Sequence, residues 1–270
     1  MISSKKYVDE TLRKYNISAN KALGQNFLVE KEIAEYIVDS ANINENSVVI
    51  EIGPGLGALT EYLVLKANRV IAFEIDKQMV NILNDTFKCD NLEIICKDFS
   101  RVDLKELLES YCDKEICIIS NLPYYITSKL LNKILVNDYK IKVMIAMMQK
   151  EVGLKLIKPE NKEINPLTII LDYQYKTSIV KYVSKNSYLP RPNIDSIVLK
   201  FEKIVPEHKV NFKTLYTVCE AMFQARRKTI SNNLKELISN EKLLELGIDP
   251  CTRGENLSMD DILKICDYLG

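Results

Sequence analysis

Apolar residues along this chain gather in short β-branched runs separated by stretches of helical period. The runs at 47–52 (SVVIEI), 69–74 (RVIAFE), 92–96 (LEIIC), 115–120 (EICIIS) and 141–148 (IKVMIAMM) are almost continuously apolar. That is the pattern of strands buried on both faces of a parallel sheet. Between them, 59–66, 77–87, 104–111 and 128–136 repeat apolar positions at helical spacing. Alternating strand and helix predict a right-handed, doubly wound α/β domain.

Past residue 148 the pattern loosens. Gln149-Lys150-Glu151-Val152 reads as helix, and Asn165-Pro166 opens a helix through Gln174, although Leu167 to Leu171 (LTIIL) has strand propensity. The segments 177–183 and 195–201 predict a closing strand pair, joined by a loop that holds Pro190 and Pro192. Helices are expected at 212–224, 229–238, 241–246 and 259–269. The sequence therefore predicts an α/β domain over 1–204 and a small helical domain over 205–270, with no internal repeat.

Composition narrows the class. With 47% apolar and 27% charged residues in 270, the chain is globular and long enough to bury a full core. No apolar run approaches the roughly 20 residues of a membrane-spanning helix, and Met1 to Lys6 leads into a charged stretch with no secretory signal. Seven cysteines, an odd number without C-x-x-C spacing, point to reduced thiols and a cytoplasmic location, and offer no zinc ligand set. A single histidine, His208, sits in a charged connector as a surface residue and argues against a Ser-His-Asp hydrolase.

Thirty-seven basic residues balance 37 acidic ones. The zero is an average. Residues 32–139 carry ten basic and 18 acidic side chains, whereas 140–200 carry 11 and five. The stretch 221–235 adds Arg226, Arg227, Lys228 and Lys235 without an acid. Basic segments of this kind grip a polyanion through the local field, or are simply solvated faces; the charge count leaves both open.

Candidate chemistry lies at the strand ends. Glu51-Ile52-Gly53-Pro54-Gly55-Leu56-Gly57 follows the first long strand, where glycine lets the backbone approach a ligand. Gly53, Gly55 and Ala58 also satisfy the G-x-G-x-x-G/A dinucleotide pattern, so a nicotinamide-dependent oxidoreductase stands as a rival reading, as does a plain tight turn. Glu74 ends the second of these strands, placed to accept ribose hydroxyls. Asp98 follows the third, and Asn121 the fourth. Each alone could be a helix cap; together they face the crevice where an open α/β sheet binds ligands.

Asn121-Leu122-Pro123-Tyr124 suits an exocyclic amine. The lone pair of adenine's amino nitrogen is delocalised into its ring. An Asn oxygen and a backbone carbonyl, accepting its two N–H bonds, favour a pyramidal nitrogen with its lone pair free to attack. Pro123 stiffens the turn and Tyr124 offers a face for a stacked base. A helix-entry turn with a buried tyrosine is the bland alternative.

These residues resemble the small-subunit ribosomal RNA adenine dimethyltransferases, relatives of the erythromycin-resistance rRNA methyltransferases. The resemblance spans nearly the whole chain: Leu23-Gly24-Gln25-Asn26-Phe27-Leu28, Glu51 to Gly57, Asn121 to Tyr124, Gln149 to Val152 and Pro190 to Ser196 follow in the family's order. It implies a Rossmann-like S-adenosylmethionine-dependent methyltransferase domain over 1–204 and an RNA- and ribosome-docking domain over 205–270. It further implies that Asn26, Leu28, Gly53, Gly55, Glu74, Asp98 and Asn121 bind the methyl donor, and that Asn121, Leu122, Pro123 and Tyr124 form the catalytic turn. Tyr188, where the family commonly has Phe, would stack on the base; its hydroxyl needs a partner if buried.

Within the family, Phe223 to Thr229, Asn232-Asn233, Gly247 to Pro250 and Arg253 to Ser258 look like the ribosome-biogenesis enzyme. The expected activity is N6-dimethylation of two adjacent adenosines near the 3′ end of small-subunit rRNA, with Arg226, Arg227 and Lys228 on RNA phosphates. The partner is rRNA or an immature small subunit, and no metal, no membrane and a monomer are expected. A resistance-type enzyme acting on large-subunit rRNA and an RNA-binding assembly factor with little catalysis are the alternatives.

Overall fold

The computed structural model describes residues 2–157 and 159–270; Met1 of the leader reading and Lys158 of the basic segment lie outside them. The chain divides into two compact units. One holds 1–131, 139–153 and 177–203; the other holds 132–138, 154–176 and 204–270. The second unit thus takes three stretches of chain, where the sequence reading has a single boundary at 204/205.

Among the described residues nine strands are formed: β1 (Phe27–Leu28), β2 (Ser47–Ile52), β3 (Arg69–Glu74), β4 (Leu92–Cys96), β5 (Glu115–Asn121), β6 (Ile141–Gln149), β7 (Tyr175–Val183), β8 (Tyr188–Leu189) and β9 (Ser196–Lys203). Seven make one sheet in the order β4-β3-β2-β5-β6-β9-β7. Strands β2 to β6 pair in parallel, as their apolar runs predict, and β9 lies antiparallel to β6. Every residue of β2 is buried, so both faces of this central strand are covered.

Order reverses between β2 and β5, which are neighbours although β3 and β4 intervene in sequence. At such a reversal the loops leaving the two strands part in opposite directions and open a crevice at their carboxyl ends.

Helices α1 (Lys5–Lys14), α2 (Lys31–Asp39), α3 (Thr60–Lys66), α4 (Lys77–Thr86), α5 (Leu104–Glu109), α6 (Thr127–Leu135) and α7 (Lys150–Ile157) connect or flank the strands. One core layer packs Ile37 and Val38 of α2 and Leu63 of α3 with Val49, Ile119, Ile145 and Val198 of the sheet. Helix α2, helix α1 and the β1–β8 ribbon escaped the periodicity reading. Helix α1 is mostly polar and buries only Val8 and Thr11, with Ser4 capping it through Tyr7 N. The β1–β8 ribbon is two residues per strand, pairing Leu28 with Tyr188.

In the second unit, α8 (Pro166–Gln174), α9 (Phe212–Phe223), α10 (Ile230–Asn233), α11 (Asn240–Glu245) and α12 (Met259–Leu269) enclose a separate core. The LTIIL segment is helical because Asn165 and Thr168 form a capping box and Pro166 occupies the first turn. The helix expected over 229–238 stops at Asn233. That side chain donates to Met222 O at 2.7 Å and Ala225 O at 3.3 Å, holding the end of α9 instead of extending its own helix.

Candidate active site

The crevice at the β2/β5 reversal is a real cavity. Asn26, Leu28, Gly53, Gly55, Glu74, Asp98, Asn121, Leu122, Pro123 and Tyr124 all line it. Local sequence explains each placement. Gly53 and Gly55 adopt φ of +68° and +58°, open to glycine at no steric cost. A Cβ on Gly55 would sit 3.3 Å from the Phe27 ring, so the bare backbone forms the wall.

Glu74 ends β3, and its carboxylate accepts from Gly55 N at 3.1 Å and Asp76 N at 2.9 Å. It is 6% exposed; burial raises its pKa and those backbone donors oppose the rise. Asp98 both caps and lines. Its side chain accepts from Ser100 N at 2.8 Å to start the turn Phe99–Arg101. Burial pushes its carboxyl up, but hydrogen bonds from Ser100 and the charges of Lys129 and Arg101 outweigh it and hold the group below its ordinary value.

The Asn121–Tyr124 turn is anchored on its neighbours. Leu122 N donates to Met147 O of β6 at 2.9 Å, and Thr127 Oγ1 donates to Pro123 O at 3.0 Å. Ser120 Oγ, one residue before Asn121, donates to Ile52 O at 2.6 Å and ties the ends of β5 and β2 together. Around this frame the Asn121 carboxamide makes no hydrogen bond to any described residue, so its donor and acceptor are both available.

Tyr188 is not brought to the cavity. It is 3% exposed, packed in the core beside Val198 and Met147, and its hydroxyl donates to Met147 Sδ at 3.0 Å. The β1–β8 pairing carries it there, opposite Leu28. A buried tyrosine cannot present a free stacking face, so the base-stacking expectation for it does not match its position. Arg226, Arg227 and Lys228 lie on an exposed turn of the second unit, where Arg226 Nη2 donates to Ile164 O at 2.7 Å.

Other lining residues went unsingled by sequence. Ile75, 44% exposed, and Phe99 flank the cavity near Asp98, and Tyr125 stands half-exposed beside Tyr124. Ile2 and Val8 of the N-terminal segment reach it too, with Ser3 Oγ on Ala58 O. Glu51, 2% exposed, accepts from Thr60 Oγ1 at 2.7 Å. Burial, reinforced by the charge of Glu74, pushes its carboxyl to about 8 against the Thr60 hydrogen bond. A lone acid inside an otherwise almost wholly apolar strand was the available signal.

The bare glycine backbone, the buried Glu74 carboxylate and the amide turn at the switch point of a doubly wound sheet give a Rossmann-like nucleoside-binding crevice. Residues 16–270 match the family described as ribosomal RNA adenine dimethylase, and the chain belongs to that family. It is 38% identical over 270 residues to a "Ribosomal RNA small subunit methyltransferase A" of Clostridium botulinum (strain ATCC 19397 / Type A), covering 96% of this chain and 97% of that one. To the protein of the same name from Staphylococcus aureus (strain Newman) it is 40% identical, covering 94% and 91%.

Among solved structures, a dimethyladenosine transferase from Plasmodium falciparum superposes with a TM-score of 0.73 at 24% identity, covering 87% of this chain and 94% of that one. The 23S rRNA methyltransferase ErmE superposes at 0.67 and 19%, covering 90% and 99%. These two share the fold. Membership of the dimethylase family sets aside the nicotinamide reading of the glycine pattern; S-adenosylmethionine use follows from the family. Among the described residues no helix is long and apolar enough to cross a membrane.

Proposed function

We propose that this enzyme dimethylates N6 of two adjacent adenosines near the 3′ end of small-subunit rRNA, on an immature subunit in the cytoplasm, as a monomer. The single observation that carries the adenine chemistry is the Asn121–Tyr124 turn. Its carboxamide is unengaged, its backbone is fixed, and its tyrosine lines the cavity. The names of the small-subunit relatives, matched over nearly full length, support the choice of rRNA.

The residues fit the methyl donor. Gly53 and Gly55, both at positive φ, present bare backbone to the cavity, Glu74 would offer carboxylate oxygens to the donor's ribose hydroxyls, and Asp98 would accept from its purine amine, with Ile75 and Phe99 also lining the cavity. Asn26 and Leu28 complete the wall. When bound, the donor supplies an electrophilic methyl on a sulfonium.

The chain's own work is then placement. The Asn121 oxygen and a backbone carbonyl accept the adenine N–H bonds, which directs the nitrogen lone pair, and Tyr124 orients the ring. A sulfonium departs as a neutral thioether, so displacement needs neither a metal nor a general acid. Released protons pass to solvent. Arg226, Arg227 and Lys228 hold RNA phosphates from the second unit, which serves docking, while the first unit carries catalysis.

The test is transfer from labelled donor to immature small subunits, with mapping of the modified bases. Methyl label at adenine amines near the 3′ end is expected. Absence of label there, or label on large-subunit rRNA instead, overturns the proposal.

A further inference from the structure

Tyr124 is fixed at its backbone by Leu122 and Pro123, but a turn alone leaves its side chain free to swing. The structure closes that freedom from β9. Tyr124 OH and Ser196 Oγ lie 2.6 Å apart, at the short end of hydroxyl hydrogen bonds, across 72 residues of sequence. Ser196 is wholly buried and is itself immobilised on both sides. It pairs with Gln149 in the β6–β9 register, and the preceding Asp195 accepts from Lys150 N at 3.0 Å and, through its side chain, from Lys185 N at 2.9 Å.

The Tyr188 hydroxyl joins the same cluster. It donates to Met147 Sδ at 3.0 Å, and Tyr124 and Ser196 lie near enough to bear on its ionisation. Met147 in turn accepts Leu122 N through its backbone, so one residue of β6 holds both the turn and the tyrosine behind it. This supplies the partner that a buried Tyr in place of Phe requires.

We propose that Ser196 is a positioning residue for methyl transfer: its hydroxyl locks the Tyr124 ring against the cavity. The inference deepens the proposed function, since it takes Tyr124 as the residue that orients the adenine. The lock lowers the number of ring orientations that a bound base meets, and it acts on placement, not on donor binding. A net hydrogen bond of this kind corresponds to about a two- to tenfold effect.

The test uses the full chain and three readouts: donor affinity by calorimetry, kcat on immature small subunits, and NMR of isotope-labelled tyrosines, with Tyr124 assigned through Tyr124→Phe. Ser196→Ala is expected to lower kcat about two- to tenfold with donor affinity unchanged, and to shift the Tyr124 resonance. In the Tyr124→Phe background the same change should cost nothing further, because the hydroxyl it serves is gone. Tyr188→Phe should shift the Tyr124 resonance less than Ser196→Ala does. An unmoved Tyr124 resonance in Ser196→Ala, or full additivity with Tyr124→Phe, overturns the lock. The resonance is read without RNA. A shifted resonance in a protein that does not methylate rRNA supports the lock and counts against the proposed function alone.

Discussion

Glu51 should make this protein less stable as pH rises, and replacing it should reverse that. Its carboxyl is 2% exposed in the central strand, and burial is the main reason it titrates near 8, not at the model-compound value of 4.5. In the unfolded chain the group ionises at the ordinary value. Between pH 4.5 and 8 the native state therefore binds the extra proton, and stability falls with each pH unit. The contribution is fully present below 4.5, and the loss is complete as pH passes 8.

At about 1.4 kcal/mol per unit, the penalty near pH 7 is about 3 kcal/mol. Glu51→Gln removes it, because an amide is neutral in both states and its oxygen still accepts from Thr60. Thermal unfolding followed by circular dichroism from pH 4 to 9 should show the variant and wild type converging near pH 4. They should separate to roughly 6–10 °C at neutral pH, move further apart up to about pH 8 and hold the wider gap above it. The comparison largely cancels Glu74, whose pKa is also raised. Parallel curves, or a variant that is less stable at pH 8, would refute the reasoning.

Other outcomes follow from the same geometry. Asn121→Ala should reduce methyl incorporation about a hundredfold or more while the protein melts at the wild-type temperature, read by label transfer beside calorimetry. Gly57→Ala should lower stability by about 1–3 kcal/mol in denaturant unfolding, since its Cβ would stand 2.6 Å from Phe87 Cε2 at a φ of +91°. Lys228→Ala should weaken rRNA binding across sequences and reduce the salt slope by about one, measured by filter binding between 50 and 200 mM salt. Arg226→Ala should additionally loosen the second unit, because its guanidinium donates to Ile164 O.

The sequence by itself determined the sheet and the row of polar residues along its edge. Near-continuous apolar runs mark strands buried on both faces, and parallel strands all end at the same edge. Gly53, Glu74, Asp98 and Asn121 could therefore be gathered from spacing alone, and the cavity holds all four. The C-terminal helices were legible except where a side chain captured backbone from elsewhere, as Asn233 does.

Tertiary structure decided the rest, because it depends on partners far apart in sequence. Insertion of β9 beside β6 brings Ser196 to Tyr124 and seals Tyr188 in the core. Period-two patterning says that such residues face inward, not which hydroxyl they meet. The protonation of Glu51 likewise follows from what surrounds β2 on both sides, a property of the packed sheet that no local window contains.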